Sequence, residues 1–154
     1  MVSNLLLMPN LLMRLLISLF ASLSLSTGQV ALAEEKPHAP ENIENVTILT
    51  AEQVIEKILA DPELIVIDSR KKTEYLKGHI EGAINILNTK LKQEELERIV
   101  PDKDSEILIY CNGTRCMRST DSIRKAKRWG YTNLIWFRGG WKEWSDKRLP
   151  MVSE

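Results

Sequence analysis

Three apolar runs restrict this chain more than any other feature. Leu64-Ile65-Val66-Ile67 is unbroken by any polar residue, Glu106-Ile107-Leu108-Ile109-Tyr110 follows the same form after its first residue, and Asn133 to Phe137 closes the set. A strand wetted on one face alternates apolar with polar residues, so an unbroken run implies cover on both faces, as in a parallel sheet between helices. Val46 to Leu49 and Ala83-Ile84-Asn85-Ile86 supply two weaker strands.

Helical patterns fill the intervals. Thr50-Ala51-Glu52-Gln53 has the form of a capping box, with Val54, Ile55, Ile58 and Leu59 on one face of the helix that follows and Asp61-Pro62 as its stop. A helical turn holds Glu74 and Tyr75 and breaks at Gly78. Leu91 to Val100 gives a helix with Leu96, Ile99 and Val100 inward. Beyond the loop that carries Cys111 a further pattern runs through Trp129, with Ser119, Ser122, Ile123 and Ala126 as a narrow buried face and Gly130 as its end. Arg124, Lys125, Lys127 and Arg128 occupy its solvated side. Trp141 to Trp144 begins a short terminal helix. Strands alternating with helices at this spacing predict an α/β fold, a parallel sheet with helices on both faces.

The first 33 residues contain no acidic residue and one basic residue, Arg14. Their apolar stretch from Leu15 to Leu25 and the small-x-small Ala31-Leu32-Ala33 predict an export signal cut before Glu34. Ser22, Ser24, Ser26, Thr27 and Gly28 interrupt the apolar run, which falls short of the roughly 20 residues that span a bilayer. Residues 34–45, with Pro37 and Pro40, read as a flexible linker, and 46–150 as one domain. The destination is then the periplasm of a Gram-negative cell or the medium, with no stable membrane insertion after cleavage. Basic and acidic residues number 21 each, so nothing global points to nucleic acid.

Chemistry concentrates in Tyr110-Cys111-Asn112-Gly113-Thr114-Arg115-Cys116-Met117-Arg118-Ser119. Cys111 falls where a strand ends and a helix begins, the place where parallel folds put ligands. Unpaired N–H groups, the helix dipole and the nearby Arg115 and Arg118 would favour its thiolate. Gly113 allows the loop to curl around the sulfur. Asn112, Gly113, Thr114, Arg115, Cys116, Met117 and Arg118 form the candidate substrate-binding set, through loop N–H groups and the two guanidinium ions. No metal or organic cofactor is needed.

Asp68-Ser69-Arg70, Glu74-Tyr75, Gly78-His79-Ile80, Gly82-Ala83-Ile84-Asn85, Tyr110-Cys111, Gly130-Tyr131 and Gly139-Gly140-Trp141 resemble the successive landmarks of a single rhodanese domain. The resemblance spans about Val46 to Pro150. It implies a three-layer fold with a five-stranded, mainly parallel sheet. It also implies a sulfurtransferase whose cysteine takes sulfane sulfur from a small anionic donor such as thiosulfate, becomes a persulfide and passes the sulfur to cyanide or a thiol. Arg118-Ser119 matches the family's Arg-Ser only with a longer loop, which predicts a wider cradle. Dual-specificity phosphatases of this fold carry an arginine six positions after the cysteine; here that position is Met117, which argues against phosphatase chemistry.

Cys116 has two readings, a resolving thiol for Cys111 or a small residue at a helix start. The first leads to a thiol–disulfide oxidoreductase as an alternative function, and a non-catalytic module on the same fold is another. Asp68 and Arg70 border the site at a strand's carboxyl end, where an ion pair is the simpler role. His79 matches a structural landmark, His38 lies in the polar tract without a role, and Trp136, Trp141 and Trp144 read as packing. Gly139 and Gly140 would let the last turn approach the cysteine loop.

Overall fold

The computed structural model describes residues 38–154; the expected export signal and the first residues of the linker lie outside them. Five strands, β1 (Thr47–Ile48), β2 (Ile65–Asp68), β3 (Ile84–Asn85), β4 (Ile107–Tyr110) and β5 (Leu134–Phe137), form one sheet in the order β1-β5-β4-β2-β3. Every strand pair is parallel, so the sheet is wholly rather than mainly so. Between the strands lie α1 (Ala51–Ala60), α2 (Lys72–Tyr75), α3 (Gln93–Ile99) and α4 (Arg118–Arg128), and α5 (Gly140–Asp146) follows β5.

Alternation along the strands divides the core in two. Ile67, Ile107, Ile109, Leu134 and Trp136 pack with Leu96 of α3 and with Ile123 and Ala126 of α4. Their neighbours Val66, Leu108, Tyr110, Ile135 and Phe137 pack with Ala51 and Val54 of α1, Tyr75 of α2 and Trp144 of α5. Successive side chains point to opposite faces. An unbroken apolar run is therefore the sequence of a strand that serves two cores at once.

The α1 capping box is present, with Thr50 N–H donating to Gln53 Oε1 at 2.9 Å and Gln53 N–H to Thr50 Oγ1 at 3.4 Å. Leu59 departs from the expected inward face and is 77% exposed. The buried stripe runs through Ala51 and Val54 with Ile55 and Ile58 packed beside them, and Leu59 falls on its flank in the last turn.

The expected linker is docked over its described part. Ala39 is buried and joins the α3–α4 core, with Ile43 packed beside it. Ala39 N–H donates to the Thr114 carbonyl at 2.9 Å, and Arg138 Nε donates to the Pro40 carbonyl at 2.8 Å. Glu41 adds an ion pair with Arg138 at 2.8 Å. A polar, proline-bearing composition signals a loop, but the partners that tie it down come from residues 75 and 98 positions away, which no local pattern displays.

Candidate functional site

β4 is flanked by β5 on one side and β2 on the other, and their last residues, Phe137, Tyr110 and Asp68, stand level. Cys111 follows Tyr110 at the middle of the sheet's carboxyl edge and is 1% exposed. By the same alternation it continues the face of Ile107 and Ile109, toward α4. Asp68 shares the opposite face with Val66.

Two features hold the loop after Cys111. Gly113 has φ +142°, and its carbonyl accepts the Cys116 N–H at 2.8 Å, which closes a turn and brings Cys116 back toward Cys111. On the other side α5 docks end-on: Trp141 N–H donates to the Cys111 carbonyl at 2.8 Å and Lys142 N–H to the Asn112 carbonyl at 3.0 Å. That approach demands Gly140, at φ +56°, where an added Cβ would stand 2.2 Å from the Cys111 carbonyl oxygen.

The Cys111 sulfur has two hydrogen-bond partners. Ser119 Oγ lies 3.0 Å from it, and its S–H donates to the Cys116 carbonyl oxygen at 3.2 Å. Trp136 donates its indole N–H to Ser119 Oγ at 3.0 Å. An indole nitrogen only donates, so the serine hydroxyl accepts there and keeps its own proton for sulfur. The Ser119 N–H also faces Cys111.

The expectation that Cys111 is the readily ionised thiol is not met in this dithiol. The neighbouring Cys116 thiol and burial push the Cys111 thiol up, against the lowering effect of Ser119. Cys116 is half-buried, and its thiol drops from 9.0 to about 6: the neighbouring Cys111 thiol contributes most, burial opposes, and the N–H groups of Arg118 and Asn112 and the Arg118 charge add to the lowering. Such a pair loses its first proton as a unit.

The loop from Asn112 to Arg118, with Asn88, Asp121 and Lys142, lines a cleft of about 920 Å³. Its wall carries the charges of Arg115, Arg118 and Lys142 against that of Asp121. Arg118 is held by Glu74, Nη1 to Oε2 at 2.9 Å, while Arg115 is exposed. Glu74 also accepts from Asn112 Nδ2 at 2.7 Å and from Lys71 N–H at 3.0 Å. Burial alone would raise the Glu74 carboxyl, but these bonds and the charges of Arg118 and Arg70 hold it below 4.5.

Asp68 and Arg70 do not border this cleft. They form a buried ion pair, Nη2 to Oδ2 at 2.6 Å, on the opposite face, where Arg70 also donates to the Gly78 carbonyl at 2.7 Å and stacks on Trp141 at 4.5 Å. His79 stacks on Tyr75 at 3.5 Å, and its Nδ1 meets the Tyr75 carbonyl at 3.0 Å, a structural setting. Ser119, Trp136, Lys142 and Glu74 were not among the expected site residues. Gly139-Gly140 was the one signal that pointed to Lys142, because it brings the start of α5 against the loop; Trp136 gives no sign in sequence that its indole N–H reaches a serine.

A family model described as a rhodanese-like domain matches residues 50–147. The Escherichia coli protein named "Uncharacterized protein YibN" is 25% identical over 97 residues, covering 62% of this chain and 66% of its own length, just under two thirds. A Schizosaccharomyces pombe protein named "Putative thiosulfate sulfurtransferase, mitochondrial" is 30% identical over 118 residues, covering 68% of this chain and 82% of its own. The solved structure of a rhodanese-related protein from Thermoplasma volcanium superposes with a TM-score of 0.56 at 26% identity, covering 70% of this chain and 99% of that one.

Proposed function

The chain belongs to the rhodanese-like domain family, and from that premise we propose that it is a sulfurtransferase working through a Cys111 persulfide. One observation carries the reading: Cys111 ends the central strand with Ser119 Oγ 3.0 Å from its sulfur, under a loop whose cleft is walled by Arg115, Arg118 and Lys142. A nucleophile and an anion site then share one loop.

A donor such as thiosulfate enters the cleft as an anion, held by Arg115 and Lys142, with Arg118 fixed beside them by Glu74. The Cys111 sulfur bonds to the donor's outer sulfur and its proton passes to the Cys116 thiolate. The donor's S–S bond breaks and sulfite leaves with the electron pair. Ser119 donates to the sulfur as charge builds on it, in a setting where water is excluded. Cyanide or a thiolate then bonds to the sulfane sulfur, and the pair of the persulfide S–S bond returns to Cys111.

Intact mass tests this. Thiosulfate should add about 32 Da, one sulfur, at Cys111, cyanide should remove it, and Cys111→Ser should abolish it; loading that survives Cys111→Ser would sink the proposal. The composition of residues 1–33 supports export with cleavage before Glu34, to the periplasm or the medium. Terminal sequencing of the protein from a fractionated host should begin at Glu34, and an intact Met1 end in the cytosol would refute that part.

A further inference from the structure

Sulfurtransfer as derived above uses Cys116 only as a proton acceptor, yet Cys116 is built into the site more deeply than that role needs. The Gly113–Cys116 turn returns it to Cys111, its carbonyl oxygen accepts from the Cys111 thiol at 3.2 Å, and both thiols are free. Cys111 is buried, whereas Cys116 lines the cleft.

We infer that Cys116 is a resolving thiol: its sulfur attacks the Cys111 sulfur of the persulfide, the persulfide S–S bond breaks, and the sulfane sulfur leaves as hydrosulfide while a Cys111–Cys116 disulfide closes. The inference rests on the reading of Cys111 as the residue that carries sulfur. The proton that Cys116 took from Cys111 during loading goes to the departing sulfur, so HS⁻ leaves and none is left over. Relative to the reduced pair, the sulfane sulfur gains two electrons and each cysteine sulfur gives one. No external oxidant or reductant enters this step. A dithiol reductant then reopens the bridge by thiol–disulfide exchange and is itself oxidised. The overall activity becomes reductive release of sulfane sulfur to a dithiol, with no need for a sulfur acceptor in the cleft.

The cradle suits the step. The N–H groups of Asn112 and Arg118 and the Arg118 charge favour the Cys116 thiolate, and these remain when Cys111 carries sulfur. A thiolate rather than a thiol is the attacking species, so Cys116 hands its proton to the persulfide's outer sulfur as it attacks. Cys116→Ser removes the proton acceptor of the loading step and, with it, the largest cause that raises Cys111, so in that variant Cys111 gives its proton to solvent and loading is slower but can be run to completion.

The full chain is loaded with thiosulfate to completion, freed of excess donor without any thiol, and followed for released hydrosulfide; thiols are then blocked in acid and the non-reduced peptides are mapped. The wild type should release about one hydrosulfide per chain and acquire a Cys111–Cys116 bridge, at a rate at least about tenfold above Cys116→Ser and Cys116→Ala, which should hold the persulfide. Dithiothreitol should then restore loading competence to the wild type. A wild type that loads and keeps its persulfide as long as the two variants do overturns the inference and leaves sulfurtransfer standing. Equal release from all three chains overturns it as well, and failure of every chain to load overturns both readings.

Discussion

Ser119→Ala tests the site at its most economical point, because one hydroxyl there serves both the core and the nucleophile. Ser119 and Trp136 are buried, and the indole N–H has Ser119 Oγ as its hydrogen-bond partner at 3.0 Å. Removing the oxygen leaves that donor unpaired in a dry core, at a cost of about 1–3 kcal/mol. Chemical denaturation should show this loss in unfolding free energy. Trp136→Phe deletes the donor, so in that background Ser119→Ala should cost at least about 1 kcal/mol less, the coupling expected of two groups that touch. The same substitution withdraws the hydroxyl that lowers the Cys111 pKa while keeping the Ser119 N–H. Loss of a bond that favours the charged form raises the thiol further, so the alkaline-rising limb of sulfur loading should move to higher pH. An equal cost in both backgrounds, or an unmoved limb, would refute the relay from Trp136 through Ser119 to Cys111.

Gly140→Ala places a Cβ 2.2 Å from the Cys111 carbonyl at φ +56°; left-handed backbone alone costs about 1–2 kcal/mol, and the clash adds to it, so both thermal stability and loading rate should fall. Glu74 has a folded pKa below its ordinary value, so its stabilising contribution is complete above pH 4.5 and is lost as the pH falls through the folded value. The stability gap between wild type and Glu74→Gln, followed by denaturation from neutral to acid pH, should therefore close in acid; a constant gap would contradict the Asn112 and Arg118 contacts. Cys116 loses its largest lowering cause in Cys111→Ser, so the midpoint of its alkylation by iodoacetamide should rise from about 6 toward that of an ordinary thiol.

Strand content was legible because the sheet serves two cores. The runs at Leu64–Ile67 and Ile107–Tyr110 have no other economical explanation, and the capping box at Thr50 marks α1 locally. Cys111 was legible by position, since a strand end entering a helix is a property of order along the chain. The side chains that act on it were not. Trp136 and Lys142 reach the loop from β5 and α5, 25 and 31 positions away, and only packing brings them there. Asp68 misled for the same reason in reverse: it stands level with Tyr110, yet its parity along β2 turns it to the other face.

That parity also explains why a reactive loop can rest on so short a sheet. The face away from Cys111 carries the Asp68–Arg70 pair, the Arg70–Trp141 stack and the buried Trp144 of α5. A buried pair of this kind is weak evidence for stability in itself, but breaking it by removing one partner costs about 3–5 kcal/mol, which makes its geometry stiff. Trp141 joins the two sides: its ring covers Arg70 while its N–H donates to the Cys111 carbonyl. The loop backbone is therefore held from behind, through Trp141 and Gly140, and from the front, through Glu74 with Asn112 and Arg118. Between these anchors lies the segment from Thr114 to Cys116, tied by the Ala39 N–H on the Thr114 carbonyl and by the turn at Gly113. Its hydrogen bonds go to Ala39, Gly113 and Cys111 and not to the sheet, the ion pair or α5, so it is the part of the loop that would adjust to a Cys111–Cys116 disulfide.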